Sequence, residues 1–317
     1  MKKSIDLNFY VFSFNRGRFL NNCINSIRNC APGSPIIIID DNSDDPDTKH
    51  FISLHRKTCE VLFNNRESEF EKKTGGLAGC MNLAMRHAKE IGAPYVVFIQ
   101  DDMQMVRSLK EDDMGLIKDY FSHVPGSIQI STSFIRRLSM DTFSMDHVVN
   151  IEAGAYIRKG VAERGKSNFS DTGVFDVNRF HETFKVFCVG EDKNSEKARS
   201  LGLTCGRSIY PFMCWLPYPV SHRGKKRGWR HRFFEKFGRS GFYPIRVMSG
   251  QERNSFVVRD AFDYPVMEEY LCSPSSPRSD IWSTGGGEYN FLAFNGVAAK
   301  IFRVMRIFKT WGKNVVA

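Results

Sequence analysis

Two adjacent carboxylates, Asp101 and Asp102, stand at the end of an apolar run, PYVVFIQDDMQ (Pro94–Gln104). If that run is a buried strand, both carboxylates project from the carboxyl edge of a sheet, where open α/β folds bind their ligands. Hard oxygen ligands there suit Mg²⁺ or Mn²⁺ carrying a diphosphate. An Asp-Asp pair after a strand also serves as a helix cap or a solvated turn, so its meaning depends on its company. A second pair, Asp40 and Asp41, closes the isoleucine run of IIIIDDNSDD (Ile36–Asp45). Parallel strands share their carboxyl ends, and a carboxylate at that edge accepts from a ribose hydroxyl or a base N–H. Asp41, Ser43 and Asp45 have the alternate spacing of a calcium loop, but Pro46 stands at the glycine position and Ile52 at the bidentate glutamate position. The calcium reading therefore fails.

Two further segments have phosphate-binding character. The chain reads FSFNR at Phe12–Arg16 and TGGLAGCMN at Thr74–Asn82. Glycines ahead of a helix let backbone N–H groups approach a phosphate or a sugar, although neither segment is a dinucleotide fingerprint or a P-loop. Later, VGEDKNSEKARSLGL (Val189–Leu203) places Glu191 and Asp192 ahead of a charged helix. An acidic pair there is a candidate acid/base site, and it also complements a helix dipole.

These residues need a scaffold, and the apolar periodicity supplies one. Leu7–Phe14, Ile36–Ile39, Val61–Phe63 and Tyr95–Ile99 read as strands, and the isoleucine run has the two-sided burial of a central parallel strand. Phe19, Leu20, Cys23, Ile24 and Ile27 recur at helical spacing, as do Leu77, Ala78, Met81, Ala84, Met85, Ala88 and Ile91. Strands alternating with helices predict βαβ units: an α/β fold with a mostly parallel central sheet flanked by helices. Beyond it the pattern predicts a helix over Ser108–His123, strands over Ser127–Phe134 and Val148–Ile157, a helix over Asn194–Leu201, and a strand over Thr204–Tyr210.

With 317 residues, 42% of them apolar and 13% aromatic, the chain can bury one large core with an appendage. Eight scattered cysteines form no Cys-x-x-Cys pair and predict reduced, mostly buried thiols in a cytoplasmic protein. The N-terminal apolar stretch is interrupted by Asn8, Ser13 and Asn15 and reads as a strand rather than a signal peptide. The net charge of +10 is densest in HRGKKRGWRHRFFEKFGR (His222–Arg239), which calls for an anionic partner. We place a boundary near Arg223, between a domain over 1–222 and a basic, aromatic C-terminal extension over 223–317. In that extension Val297, Ile301, Val304, Met305, Phe308 and Trp311 share a helical face, interleaved with Lys300, Arg303, Arg306, Lys309 and Lys313. A basic amphipathic helix of this kind either lies on an anionic membrane surface or packs on its own domain. A nucleic-acid partner has no support beyond the basic run itself.

Taken in order, FSFNR, DDNS, the Gly-Gly helix ending in Asn82, and the strand ending in Asp101–Asp102 resemble the nucleotide-diphospho-sugar-binding half of the family-2 glycosyltransferases with a GT-A fold. The resemblance spans about residues 9–104, and continues more loosely through TGVFDVNRF (Thr172–Phe180) and the Glu191–Asp192 segment. It implies a GT-A type fold and an inverting transferase moving a sugar, UDP-linked, to a saccharide or lipid-linked acceptor with Mn²⁺ or Mg²⁺. It also implies that residues 1–222 are a catalytic domain with a nucleotide-sugar half about 1–104 and an acceptor half about 105–222. Carried across, it puts Asp41 on the base or ribose, with Phe14, Asn15, Lys73 and Gly76 around the nucleotide. Asp102 becomes the main metal ligand, Asp101 a sugar or ribose contact, Asp192 the base, and Glu191 its support or an acceptor contact. His222, after YPFMCWLPYPVS, matches a late histidine that completes the metal site. One position departs: Gln100 stands where the Asp-x-Asp pattern has its first carboxylate, and a neutral amide binds a hard cation less well. Two other readings stay open: a nucleotidyltransferase built on a similar sheet, and a nucleotide-sugar-binding or glycan-binding relative without turnover.

Overall fold

The structure is a computed structural model that describes residues 7–64, 76–159, 169–216 and 242–275. Its centre is a nine-stranded mixed sheet. The first half supplies β1 (Asn8–Ser13), β2 (Ile36–Asp40), β3 (Glu60–Phe63) and β4 (Tyr95–Gln100), all parallel, with β1 between β2 and β4. The chain thus steps outward from β1 to β3 and then crosses back to β4. That reversal makes the carboxyl ends of β1 and β4 the topological switch point.

Both faces of these strands are buried, and their period of two divides them between two cores. Phe9, Val11, Ile36, Ile38, Val97 and Ile99 pack with Leu20, Cys23, Ile24 and Ile27 of α1 (Gly17–Cys30). Tyr10, Phe12, Ile37, Ile39, Val96 and Phe98 pack with Met81, Ala84, Met85 and Ala88 on the opposite face. Those four lie on a helix, Gly76–Glu90, which follows α2 (Pro46–His55) and is α3 here. The sequence explains α2 as well, since Asp45 accepts the Thr48 N–H at 2.9 Å and Pro46 takes the first helical position, where its missing N–H costs nothing.

Beyond β4 a short ribbon pairs β5 (Met103–Met105) with a late strand at Met213–Trp215. Then α4 (Glu111–His123) leads to β6 (Ser127–Ser131), shorter than the sequence pattern predicts. The single strand expected over Val148–Ile157 is two strands: α5 (Met140–Asp146) is followed by β7 (His147–Asn150) and β8 (Ala155–Arg158), which form a hairpin. Its turn contains Gly154 at φ +59°, a left-handed conformation that a run of β-branched residues hides from periodicity. A strand with no sequence forecast, β9 (Gly173–Asp176), runs antiparallel between β4 and β6. Gly173 has φ +133°, and a Cβ there would lie 2.5 Å from the Ile130 carbonyl oxygen, so only glycine allows the strand to enter. Next come α6 (Glu191–Ser200), β10 (Thr204–Ser208) and β11 (Met213–Trp215). The full order is β3-β2-β1-β4-β9-β6-β10-β8-β7.

Residues 242–275 lie against this body. The Gln104 side chain accepts from the Ile245 N–H at 3.0 Å and donates to the Ile245 carbonyl at 2.5 Å, as another strand would. Asp113, buried, joins Arg107 at 2.7 Å and Arg253 at 3.0 Å. Arg253 sits on α7 (Gly250–Val257), whose start is closed by a capping box between Ser249 and Glu252. Phe134, Phe256, Met267 and Leu271 fill the space beneath. All eight cysteines are free thiols, six of them buried. Among the described residues no helix is long and apolar enough to cross a membrane. The proposed boundary at Arg223 and the amphipathic C-terminal helix lie outside the described residues.

Candidate active site

The parallel register levels the strand ends, Ser13 opposite Asp40 and Phe12 opposite Gln100. The ladder runs one step past the strands: Asp41 N–H donates to Ser13 O at 3.0 Å and Asp101 N–H to Phe12 O at 2.9 Å. Phe14, Asp41 and Asp101 therefore emerge side by side at the switch point.

The loops above this edge are tied together by short polar side chains. Asn15 adopts φ +53°, a conformation asparagine tolerates better than most residues. Its backbone N–H donates to Ser43 Oγ at 3.0 Å, and its side-chain oxygen accepts from the N–H groups of Asp44 and Asp45 at 2.9 and 3.0 Å. Asp40 is consumed internally: its two oxygens accept from Ser43 N–H at 2.7 Å and Ser43 Oγ at 2.6 Å. Asp41 is the carboxylate turned to other use. It is buried and accepts from Asn64 Nδ2 at 2.9 Å, and the same amide reaches the Gly76 carbonyl at 3.2 Å. Asn64 fits because Gly79 has no side chain, since a Cβ there would lie 2.8 Å from its Nδ2. Gly76 thus belongs to the site through its carbonyl, at the start of α3. Nothing in the sequence singled out Asn64, because its partners lie 23 and 12 positions away.

At the pair itself, Asp101 and Asp102 are 4% and 7% exposed. Between them lies Arg16, whose Nη1 is 3.1 Å from Asp101 Oδ1 and 2.5 Å from Asp102 Oδ2. The Phe14 N–H donates to the other Asp101 oxygen at 3.0 Å. Burial pushes the Asp101 carboxyl up to about 7, against the pull of Arg16 and with the push of Asp102. Asp102 Oδ1 is buried with no hydrogen-bond partner among the described residues. A buried orphan carboxylate oxygen costs free energy unless a cation or donor meets it. It faces the demand a hard divalent cation satisfies, and Mg²⁺ sites of one or two carboxylates completed by substrate phosphates are the common form. Among the described residues no cluster of three or more acidic, histidine or cysteine side chains could hold a metal alone. His222 and Lys73 lie outside the described residues.

Beyond β9, two asparagines brace the chain ahead of α6. Asn82 of α3 accepts the Phe187 N–H at 2.8 Å and donates to the Phe187 carbonyl at 3.2 Å; buried Asn194 does the same for Cys188 at 2.7 and 3.0 Å. Glu191 and Asp192 occupy the exposed first turn of that helix. Glu191, with Ser133, Phe134, Arg207 and Trp215, lines a cavity of about 560 Å³; Asp192 is not among its lining residues. Loss of water raises the Glu191 pKa above its ordinary value, with Arg207 opposing, and its carboxyl accepts the Asp171 N–H. Asp171, pushed up to about 7 by burial and then by Glu191, is a neighbour the sequence did not reveal. Trp215 connects the two halves of the site: it pairs with Met103, and the next residue, Leu216, donates its N–H to the Asp102 carbonyl at 2.8 Å.

Residues 9–148 match the family model for glycosyl transferase family 2, the stretch that carries every strand end just described up to Asp102. Residues 9–148 are a glycosyl transferase family 2 domain. The wider architecture is a nine-stranded mixed sheet with helices on both faces, its first four strands parallel. No well-characterised protein sequence matches the chain as a whole. Among solved structures it is similar to S. aureus TarS, 14% identical, with 81% of this chain and 42% of that one covered and a TM-score of 0.47. It is also similar to the mannosyltransferase PcManGT from Pyrobaculum calidifontis in complex with GDP-Man and Mn²⁺, at 14% identity, 74% and 61% coverage, and a TM-score of 0.43. A third is glucosyl-3-phosphoglycerate synthase from Mycobacterium tuberculosis with Mn²⁺, UDP and glucosyl-3-phosphoglycerate, at 13% identity, 67% and 72% coverage, and a TM-score of 0.41. The chain spans less than two thirds of the first two of these, 42% and 61% of their lengths.

Proposed function

We propose that the chain is an inverting glycosyltransferase, moving a sugar from a nucleotide-diphospho-sugar, UDP-linked, to a hydroxyl of a saccharide or lipid-linked acceptor. The observation that carries this reading is the buried Asp101–Asp102 pair at the switch point of a family 2 domain, with an unpartnered Asp102 oxygen. Asp41 and the Asn15 and Gly76 backbones surround the nucleotide, with Phe14 and Lys73 completing that pocket. Asp101 holds the ribose or the donor sugar. Asp102, joined by His222, holds Mn²⁺ or Mg²⁺, which when bound offsets the charge growing on the nucleoside diphosphate leaving group. Arg16 holds the carboxylate pair together before the donor arrives and then offers its guanidinium to the diphosphate.

Asp192 takes the proton of the acceptor hydroxyl as that oxygen attacks the anomeric carbon. A carboxylate suffices because the transfer takes place within the transition state. A single displacement inverts the configuration. One observation favours a second reading of the base: Glu191, not Asp192, lines the cavity, and loss of water raises its pKa above the ordinary carboxylate value. The basic run from His222 and the C-terminal helix would hold the enzyme at an anionic membrane surface on its cytoplasmic side, which liposome flotation of the full chain against one ending at Gly296 tests; equal flotation removes the helix from this reading.

The activity is tested by incubating the protein with a panel of nucleotide sugars and Mn²⁺ and following free nucleoside diphosphate. We expect release that falls at least about 100-fold in Asp102→Ala, and a loss of similar size in whichever of Asp192→Ala and Glu191→Gln removes the base. Tight donor binding with no release would instead indicate a binding protein. Pyrophosphate release from a sugar phosphate and a nucleoside triphosphate would indicate a nucleotidyltransferase.

A further inference from the structure

The cavity beside Glu191 has a lining that a neutral sugar hydroxyl does not require. Among the described residues, Arg136, Arg158 and Arg207 border it together with the carboxylates Asp146 and Glu191, so guanidinium groups converge on it from three directions. They come from three different elements: the strand-like segment after β6, the hairpin strand β8, and β10. Arg158 is oriented by Asp146 at 3.1 Å, with both side chains about as buried, 14% and 15% exposed. Burial pulls the Arg207 pKa down, with the Glu191 carboxylate opposing. Ser133 also borders the cavity, and its buried hydroxyl has no partner among the described residues. Trp215 supplies an apolar wall on the side that leads to Asp102.

Guanidinium groups bordering a half-enclosed cavity favour a polyatomic anion, because planar paired N–H donors match phosphate and carboxylate oxygens and the low dielectric strengthens the attraction. We propose that the acceptor carries an anionic group, a phosphate or a carboxylate, seated among Arg136, Arg158 and Arg207 with the Ser133 hydroxyl as a further donor. The reacting hydroxyl would then extend from this anchor toward Glu191 and the donor sugar. This inference rests on the transferase reading for the name acceptor, but the anion site itself does not depend on turnover.

Binding of three probes to the full-length protein saturated with UDP and Mn²⁺ separates the possibilities: glucose, glucuronate and glucose 6-phosphate, by titration calorimetry or ligand-observed NMR. We expect glucose 6-phosphate to bind at least about tenfold more tightly than glucose, and to lose about tenfold in each of Arg136→Gln and Arg207→Gln, while Arg136→Lys, which keeps the charge but not the paired donors, recovers only part of it. Raising NaCl from 50 to 500 mM should weaken the anionic probes selectively in the parent protein, a readout that needs no variant to fold. Glucuronate binding as tightly as glucose 6-phosphate supports the site with a carboxylate as an equal occupant. Equal affinity for glucose and glucose 6-phosphate overturns the inference, as does phosphate affinity unchanged in arginine variants that melt like the parent. Parent protein that binds glucose 6-phosphate through these arginines yet never releases UDP from any UDP-sugar sinks the transferase reading and leaves the anion site. UDP release without anion preference does the reverse.

Discussion

Replacing Arg16 by methionine should expose the electrostatic cost of the active-site pair. The guanidinium contacts Asp101 and Asp102 at 3.1 and 2.5 Å, is itself only 12% exposed, and partly offsets the charge of two carboxylates that water barely reaches. Methionine keeps most of the packing volume and removes the charge, leaving two like charges in one low-dielectric site. Removing one partner of a buried ion pair costs about 3–5 kcal/mol, and we expect a loss in that range in urea unfolding at pH 8. Because Arg16 covers Asp102 Oδ2, the variant should also take Mn²⁺ more readily than the parent. At a metal concentration about 100 times the dissociation constant, binding returns about 2.7 kcal/mol. The unfolding midpoint of Arg16→Met should therefore rise on adding Mn²⁺ by more than the parent's does. A loss below about 1 kcal/mol, or an equal Mn²⁺ shift in both proteins, would refute the view that Arg16 and the cation share one site.

Three other predictions address parts of the molecule independent of that pair. Burial, and then the Glu191 carboxylate, push the Asp171 carboxyl up to about 7, well above its ordinary value. The native state therefore keeps its proton to higher pH than the unfolded chain does, and stability should fall as pH rises from about 4 to about 7. Asp171→Asn should flatten that window and leave the protein on the order of 1–2 kcal/mol more stable than the parent at pH 8, measured by thermal or urea unfolding. Asp113→Ala should cost about 3–5 kcal/mol by leaving Arg107 and Arg253 buried without their shared partner. Its effect should be accompanied by faster proteolysis within residues 242–275, mapped by mass spectrometry. Gly173→Ala, forced to φ +133° with its Cβ against the Ile130 carbonyl, should lose about 2–3 kcal/mol in the same unfolding assay.

The first four strands and the helices on either face were legible because their apolar residues carry a clean period and bury both sides of a parallel sheet. The strand ends followed, since a parallel register fixes which residues emerge together. What remained hidden depended on contacts distant in sequence. Asn64 looks like an ordinary loop residue until Asp41 and Gly79 are seen around it. Asp171 looks exposed until Glu191 is placed beside it. The helix Pro46–His55 has its start signal in Asp45 and Pro46, but its apolar residues carry too weak a helical period to announce the rest of it. Gly173–Asp176 resembled an acceptor loop because four residues opening with glycine carry too little period to announce a strand.

That inserted strand has a consequence for how the protein is made. β4, which ends beside Asp101 and Asp102, is hydrogen-bonded on one side to β1 and on the other to β9, 73 or more residues later in the chain; Phe98 pairs with Gly173, 75 positions on, and Val97 with Val174, 77 positions on. During synthesis the first hundred or so residues can assemble the four parallel strands, but β4 keeps an open edge until residues beyond 170 have emerged. An uncovered apolar strand edge is the part of a nascent sheet most prone to pair with another chain. A fragment cut at the end of the family 2 match, residue 148, would retain Asp101 and Asp102 yet lack the strand that closes the sheet beside them. Expression of such fragments should yield aggregate, whereas the same boundary moved past Asp176 restores the neighbour that β4 needs.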